Sequence, residues 1–412
     1  MSRLFVNASL TRPHWSQLHH ITLQYSLARK MSKALVQTTL KLGTKRATNP
    51  TEEEQPAKRT KLFEKPETTS ALYPWTNRTI PESLGFNPPG DKIRISAWNV
   101  CGLTACWKKG FGRYVEAEDA DILVLTETKV SDRPLDRLLT SKYPYQYWNI
   151  AAKKGYAGTA MLSKHKPLSA SFTLDHSVNA KVGAPELAED DVKGRLVTLE
   201  FESCWIIGTY VPNAGDNLKN MDRKVAWQVA FEAHVRKLDA IKPVIWAGDM
   251  NVAPTAMDIK NAKSNWNKTA GYTEIETSAF KQMLAGPPAP SLTKDVIVTG
   301  HATETHIATA TPDKTTDLDE VTASVAITEP PKPAEGQAGP MIDVWRKMHP
   351  KDQYYTYFSY RFQARLKGIG WRLDHYIVSE RFFSKVAVCE IRNEIWGASD
   401  HCPIIMDFEG PL

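Results

Sequence analysis

From residue 92 to residue 408 short apolar runs alternate with polar breaks. Lys92–Trp98 alternates with period two, which predicts a strand with one buried face. Asp121–Thr126 is a brief continuous apolar run, the pattern of a strand buried on both faces. The same reading predicts strands at Tyr145–Ala151, Thr159–Ser163, Arg195–Phe201, Trp205–Tyr210, Pro243–Ala247, Tyr354–Phe358, Arg372–Val378, Val386–Ile391 and Pro403–Phe408. Helical spacing marks Lys108–Glu118, Asp222–Leu238, Ile275–Leu284 and Asp343–Met348. Many strands with fewer, intermittent helices predict one α/β domain of two packed sheets with helices outside.

Two stretches break the pattern. Residues 1–90 read as a disordered basic targeting tail and linker. Residues 1–51 hold eight Lys/Arg and no acid, and 47–90 are rich in Pro, Thr, Glu and Lys. The opening thirty residues are basic, acid-free and rich in Ser and Thr, as a mitochondrial presequence is. Pro56-Ala57-Lys58-Arg59-Thr60-Lys61 is a short basic cluster of the kind nuclear import receptors read. Nucleus, mitochondrion or both are the expected compartments, and Met31, lying between the signals, would separate them if used as a start. The second stretch, 286–340, interrupts the domain pattern of 91–412. It has eight prolines, many Thr and Ala, no aromatic residue, and eight acids against three lysines, and it is expected to be a disordered insertion.

The net charge of +6 belongs to the tail, so a nucleic-acid reading of the domain needs a local basic face. Five cysteines without CxxC spacing suit reduced thiols, not a zinc site or a disulfide framework. No apolar run approaches the roughly 18 residues of a membrane span.

The polar residues with chemical promise cluster where apolar strands stop. Asn99 follows Ile93–Trp98, Glu127 follows Asp121–Thr126, and Asp249 and Asn251 follow Val244–Gly248. Asp374 interrupts Trp371-Arg372-Leu373, and Asp400-His401 precedes the last strand. Strand termini of an α/β domain gather at one edge, so these side chains can converge. Carboxylates with an amide form an oxygen-rich site for a hard cation such as Mg²⁺. A His–Asp pair adds a held imidazole, and together they suit phosphoester hydrolysis. No GxSxG, GxxxxGK[ST] or GxGxxG is present.

Seven motifs in order carry a resemblance: Trp98-Asn99-Val100-Cys101-Gly102-Leu103, Leu125-Thr-Glu127-Thr-Lys129, Gly155-Tyr-Ala-Gly158-Thr, Tyr210-Val-Pro-Asn213-Ala-Gly215, Gly248-Asp249-Met-Asn251-Val-Ala, Gly370-Trp371-Arg372-Leu373-Asp374 and Ser399-Asp400-His401-Cys-Pro403. Together they resemble the exonuclease III-type apurinic/apyrimidinic (AP) endonucleases over about 92–285 and 341–409. The resemblance implies a four-layered α/β sandwich of the endonuclease/exonuclease/phosphatase fold. It implies Mg²⁺, with Mn²⁺ as a substitute, and a monomer acting on double-stranded DNA with abasic sites or blocked 3′ ends. It implies Glu127 as the principal metal ligand, with Asn99 and Asp400 at the metal site. Asp249 and Asn251 would activate water, and His401, held by Asp374, would bind the scissile phosphate. Tyr210 would assist the leaving oxygen and Asn213 would contact the phosphate. Tyr357, Trp371 and Leu373 would line a pocket for the baseless sugar, and Arg361 would enter the duplex. Lys129, Arg223, Lys260, Arg361, Arg365 and Lys367 are candidates for the phosphate-tracking face.

The chain departs from that pattern at four places. Cys101 stands where relatives carry Asp or Asn, which predicts weaker metal affinity. Asp216 replaces a frequent Arg, Thr126 a common Gln, and Ser96 a cysteine linked to redox activity in vertebrate relatives. The leading expectation is incision 5′ to an abasic site, with 3′-phosphodiesterase and exonuclease side activity. The alternatives are another metal-dependent phosphoesterase of the same fold and a non-catalytic DNA-binding protein.

Overall fold

The computed structural model describes residues 80–287 and 337–412. The basic tail and nearly all of the 286–340 segment lie outside the described residues, and so do the expectations of disorder made for them. The described strands are β1 (Ile93–Asn99), β2 (Ile122–Thr126), β3 (Tyr145–Asn149), β4 (Thr159–Ser163), β5 (Ser169–Ser171), β6 (Leu196–Glu200), β7 (Trp205–Tyr210), β8 (Val244–Asp249), β9 (Met341–Asp343), β10 (Asp374–Ser379), β11 (Val386–Ile391) and β12 (Ile404–Phe408). They form two six-stranded mixed sheets, ordered β11-β12-β1-β2-β4-β3 and β5-β6-β7-β8-β10-β9. The main helices are α1 (Leu103–Lys108), α2 (Phe111–Glu118), α3 (Met221–Asp239) and α4 (Glu274–Ala285).

The core between the sheets contains Ile95, Val124, Met161, Val197, Ile206, Ile245, Tyr376, Val378, Ile404 and Met406. The outer face of the second sheet is covered by α3 and α4 through Trp227, Phe231, Phe280 and Met283. The outer face of the first is covered by α1 and α2 through Leu103, Cys106, Phe111 and Tyr114. Two sheets between two helical layers make the four-layered sandwich. Gly208 on β7 allows the sheets to approach closely: a Cβ there would lie 2.8 Å from Val124 and 3.1 Å from the Met161 sulfur.

The differences from the sequence reading have local causes. The helix expected over Lys108–Glu118 starts three residues later, as α2, because Gly110 takes φ 106° and turns the chain away from α1, which the pattern did not predict. Short β5 and β9 carry too few residues for a periodic signal. Tyr354–Phe358 is not a strand. The Thr356 and Tyr357 amides bond to Trp371, whereas the Phe358 amide bonds to Asp400 and the Cys402 amide to Thr356. Its backbone is thus shared between two loops, leaving only isolated bridges from Tyr357 to Trp371 and to His401.

Candidate active site

The strand directions bring the polar residues to one edge. β1 and β2 run parallel and end together, with Asn99 opposite Thr126, so Glu127 emerges beside Asn99. β7 and β8 also run parallel, with Tyr210 opposite Asp249. Asp374 does not end a strand, as its place in the sequence suggested. It opens β10, which is antiparallel to β8 and sets Asp374 directly opposite Asp249. Cys101, Glu127 and Asn251 have φ of 48°, 49° and 49°. Left-handed backbone in non-glycine residues is uncommon, and here it turns each chain sharply at its strand end.

Asn99 joins the two sheets. Its Nδ2 donates to Glu127 Oε1 at 3.0 Å and to Asp249 Oδ2 at 2.9 Å. Its Oδ1 accepts the Cys101 amide at 3.0 Å. Asp249 also accepts the Asn251 amide at 2.9 Å. Asn251 is pinned in turn: its Oδ1 accepts Asn213 Nδ2 at 2.7 Å and its Nδ2 donates to the Val211 carbonyl at 2.9 Å. The structure therefore gathers Asn99, Glu127, Tyr210, Asn213, Asp249, Asn251, Asp374 and His401.

His401 Nδ1 donates to Asp374 Oδ2 at 2.7 Å, and both side chains are buried. Burial pulls the imidazole pKa down, but the Asp374 carboxylate, with Asp249 and Asp400 behind it, pushes it well above the usual histidine range. The ring is an imidazolium whose free N–H is on Nε2. Burial and repulsion from Asp374 push Asp249 up to about 7 against the pull of His401, so it exchanges a proton near neutrality. Glu127 goes the other way. Burial would raise it, but Lys129, Asn99 and His401 hold it below its usual value. Burial, then the charges of Glu127 and Asp249, push the Tyr210 phenol far up, so it stays protonated.

Beside the catalytic candidates lies a small apolar cluster. Ala253, Ile259, Tyr272 and Leu373 are buried, with Tyr357 and Trp371 packed against them and partly open. The Tyr357 ring stands 4.9 Å from the His401 ring. Arg361 is exposed on the adjoining loop. Lys260 and Lys367 are exposed too. Arg365 is not on that face. It is buried against Phe358 and donates to the carbonyls of Asn393 and Ile395. Arg223 is paired with Asp191, and Lys129 with Glu127 at 2.8 Å.

The sequence reading passed over Arg195, which lies under Tyr210 with its guanidinium 5.0 Å from the ring and donates to the Tyr210 carbonyl. It also passed over Phe362, 83% exposed beside Arg361. A phenylalanine inside the basic run Tyr360–Arg365 was the available signal for the latter.

Residues 96–401 match the Endonuclease/Exonuclease/phosphatase family. The chain is 32% identical over 318 residues to a DNA-(apurinic or apyrimidinic site) endonuclease of Dictyostelium discoideum, spanning 76% of this chain and 70% of that protein. It is also 32% identical over 314 residues to an exodeoxyribonuclease of Bacillus subtilis (strain 168), spanning 76% and 98%. The chain belongs to the exonuclease III-type AP endonucleases. A crystal structure of an AP endonuclease from Leishmania major aligns with a TM-score of 0.55 over 80% of this chain and 93% of that one, at 23% identity, which bears on the fold.

This AP endonuclease family uses a divalent metal, and the donor set can be tested for fit. Asp249, Asp374 and His401 bring ligand atoms within 4.8 Å of one another. That trio is already neutralised in part, because the protonated His401 spends its Nδ1–H on Asp374. Glu127 is different. Its carboxylate is partly open to solvent and is balanced by the Lys129 ammonium at 2.8 Å. With the partly open Asp400, whose charge acts on Lys129 and Cys101, it presents hard oxygens, which fit a divalent cation. Cys101 reduces that fit. Burial and the Asp400 charge push its thiol up to about 12, so it adds no anionic ligand at neutral pH.

Proposed function

We propose that the chain hydrolyses the DNA phosphodiester on the 5′ side of an abasic site, leaving a 3′-OH, and trims blocked 3′ ends in the same site. The observation that carries this reading is the Asn99 amide bridging Glu127 and Asp249 beside the His401–Asp374 pair, next to an apolar cluster in which Tyr357 and Trp371 stay partly open.

Each residue then has a task set by its surroundings. The Asp249 carboxylate takes a proton from the attacking water, since its pKa near 7 lets it act as a base. Asn251 and Asn213 hold that carboxylate and the phosphate in place. The imidazolium of His401 offers its Nε2–H to a non-bridging phosphate oxygen and offsets charge as the phosphorane forms. Tyr210, kept protonated, can give its proton to the departing 3′-oxygen. A divalent cation held by Glu127 and Asp400, near Asn99, would supply Lewis-acid polarisation of the phosphate. Tyr357, Trp371 and Leu373 would receive the extruded sugar, and extrusion costs least where no base is stacked.

Incision of a duplex oligonucleotide carrying a tetrahydrofuran site, with and without chelator, tests the reading. Strong metal-dependent cleavage 5′ to the site is expected. Equal cleavage of undamaged duplex, or none of the lesion, would overturn it. We propose in addition that the protein works in the nucleus, the mitochondrion or both, on the composition of residues 1–61. Blots of isolated compartments with a C-terminal antibody test this, and a single uncut cytosolic species would refute it.

A further inference from the structure

We infer that Lys224 and Glu276 form a buried latch that positions the catalytic Asn251 turn, making Lys224 a positioning residue for incision. The inference rests on the roles proposed above for Asp249 and Asn251.

Lys224 lies in the first turns of α3 and Glu276 in the first turn of α4, and both are fully buried. The ammonium donates to Glu276 Oε1 at 2.6 Å and to the Asn251 backbone carbonyl at 2.7 Å. Glu276 is saturated. Its oxygens accept the Gly271 amide at 2.9 Å each and the Thr273 hydroxyl at 2.8 Å. Gly271, at φ 91°, leaves room for that same carbonyl: a Cβ there would lie 3.2 Å from Asn251 O and 3.4 Å from the Trp371 ring.

The chemistry of the arrangement is specific. Burying a lysine is costly unless it is paired and hydrogen-bonded. Here both conditions are met, and the second donor is aimed at a residue with left-handed backbone. That conformation lets the Asn251 amide reach Asp249 while its side chain reaches Asn213 and Val211. Holding the carbonyl fixes the peptide plane that follows Asn251. The latch therefore acts on the placement of the base, not on its charge. A displacement of about 1 Å in such a group lowers rates by around 10²-fold.

Three variants test this by single-turnover and steady-state incision of tetrahydrofuran duplex, with thermal unfolding alongside. Lys224→Met leaves Glu276 buried without its cation and is expected to lose stability as well as rate. Lys224→Met/Glu276→Gln removes both charges and restores the melting temperature, but it still lacks the donor to Asn251. We expect kcat to stay about 10- to 100-fold below wild type with KM within about twofold. Asp239→Ala breaks a buried pair with Arg381 at the opposite end of the sheet and should destabilise the fold with kcat unchanged. Amide exchange of residues 250–253 should quicken in the double variant while residues 404–408 stay protected. A double variant with wild-type melting temperature and kcat within twofold of wild type overturns the inference. So does a loss confined to KM. If wild type itself fails to incise, the functional assignment falls instead, and unchanged exchange at 250–253 then decides against the latch independently.

Discussion

Replacing Asp374 by Asn is the most discriminating perturbation of the site. The amide keeps the shape and can still accept the Nδ1–H of His401, so the 2.7 Å contact can persist. What is removed is the charge. Two unit charges about 4 Å apart in a medium of effective dielectric near 20 attract by about 4 kcal/mol. In the wild type, burial lowers the His401 pKa, yet Asp374 leads the carboxylates that lift it well above its usual range. A shift in that direction favours the charged ring in the folded protein. Asp374→Asn should bring its titration back toward the assay range, so the ring is charged only at low pH. The rate ratio of variant to wild type should then fall as pH rises from 6 to 9, reaching about 10²- to 10³-fold at the alkaline end. Single-turnover incision across that range, in constant divalent metal, measures it. A ratio flat with pH would refute the idea that Asp374 acts through the charge of His401.

Glu127→Gln should reduce Mn²⁺ affinity at least tenfold by electron paramagnetic resonance titration and incision by about 10²-fold. The melting temperature should stay close to wild type, because the side chain is partly open. His375 is buried, and burial followed by the Arg372 charge pulls its pKa to about 4. A lowered folded pKa means the stability it contributes is present above pH 6.5 and is lost as pH falls from 6.5 toward 4. Urea midpoints should show a loss of about 3 kcal/mol over that window, which His375→Gln should flatten. Removing residues 288–336 should leave kcat within about twofold. Gly286 and Pro340 are already in contact, as a Cβ on Gly286 would lie 2.9 Å from Pro340 N. A gain in incision at low salt that vanishes at high salt would show that the acidic segment competes with DNA.

Much of the fold was legible because the two sheets bury one or both faces of each strand, which imprints period-two or continuous apolar runs. Thr159–Ser163, Trp205–Tyr210 and Val386–Ile391 appear with the bounds the sequence suggested. Tyr354–Phe358 misled because aromatic and β-branched residues serve there to pack a loop between two others. Arg365 misled for a related reason: a charge in a basic run reads as solvated, but stacking on Phe358 and two carbonyl acceptors make burial tolerable. The polar site residues were legible as strand-end residues. The antiparallel entry of Asp374 was not, since direction is set by pairing with β8. Lys224 left no trace either, because a lysine on a long helix is ordinarily an exposed one.

Asn99 belongs to the first sheet, and one of the two carboxylates it bonds belongs to the second, 150 positions further along the chain. The amide finds both acceptors only once the two faces have closed on each other. During refolding, far-ultraviolet dichroism should recover ahead of incision, and the lag between them would time the docking of one half of the molecule onto the other.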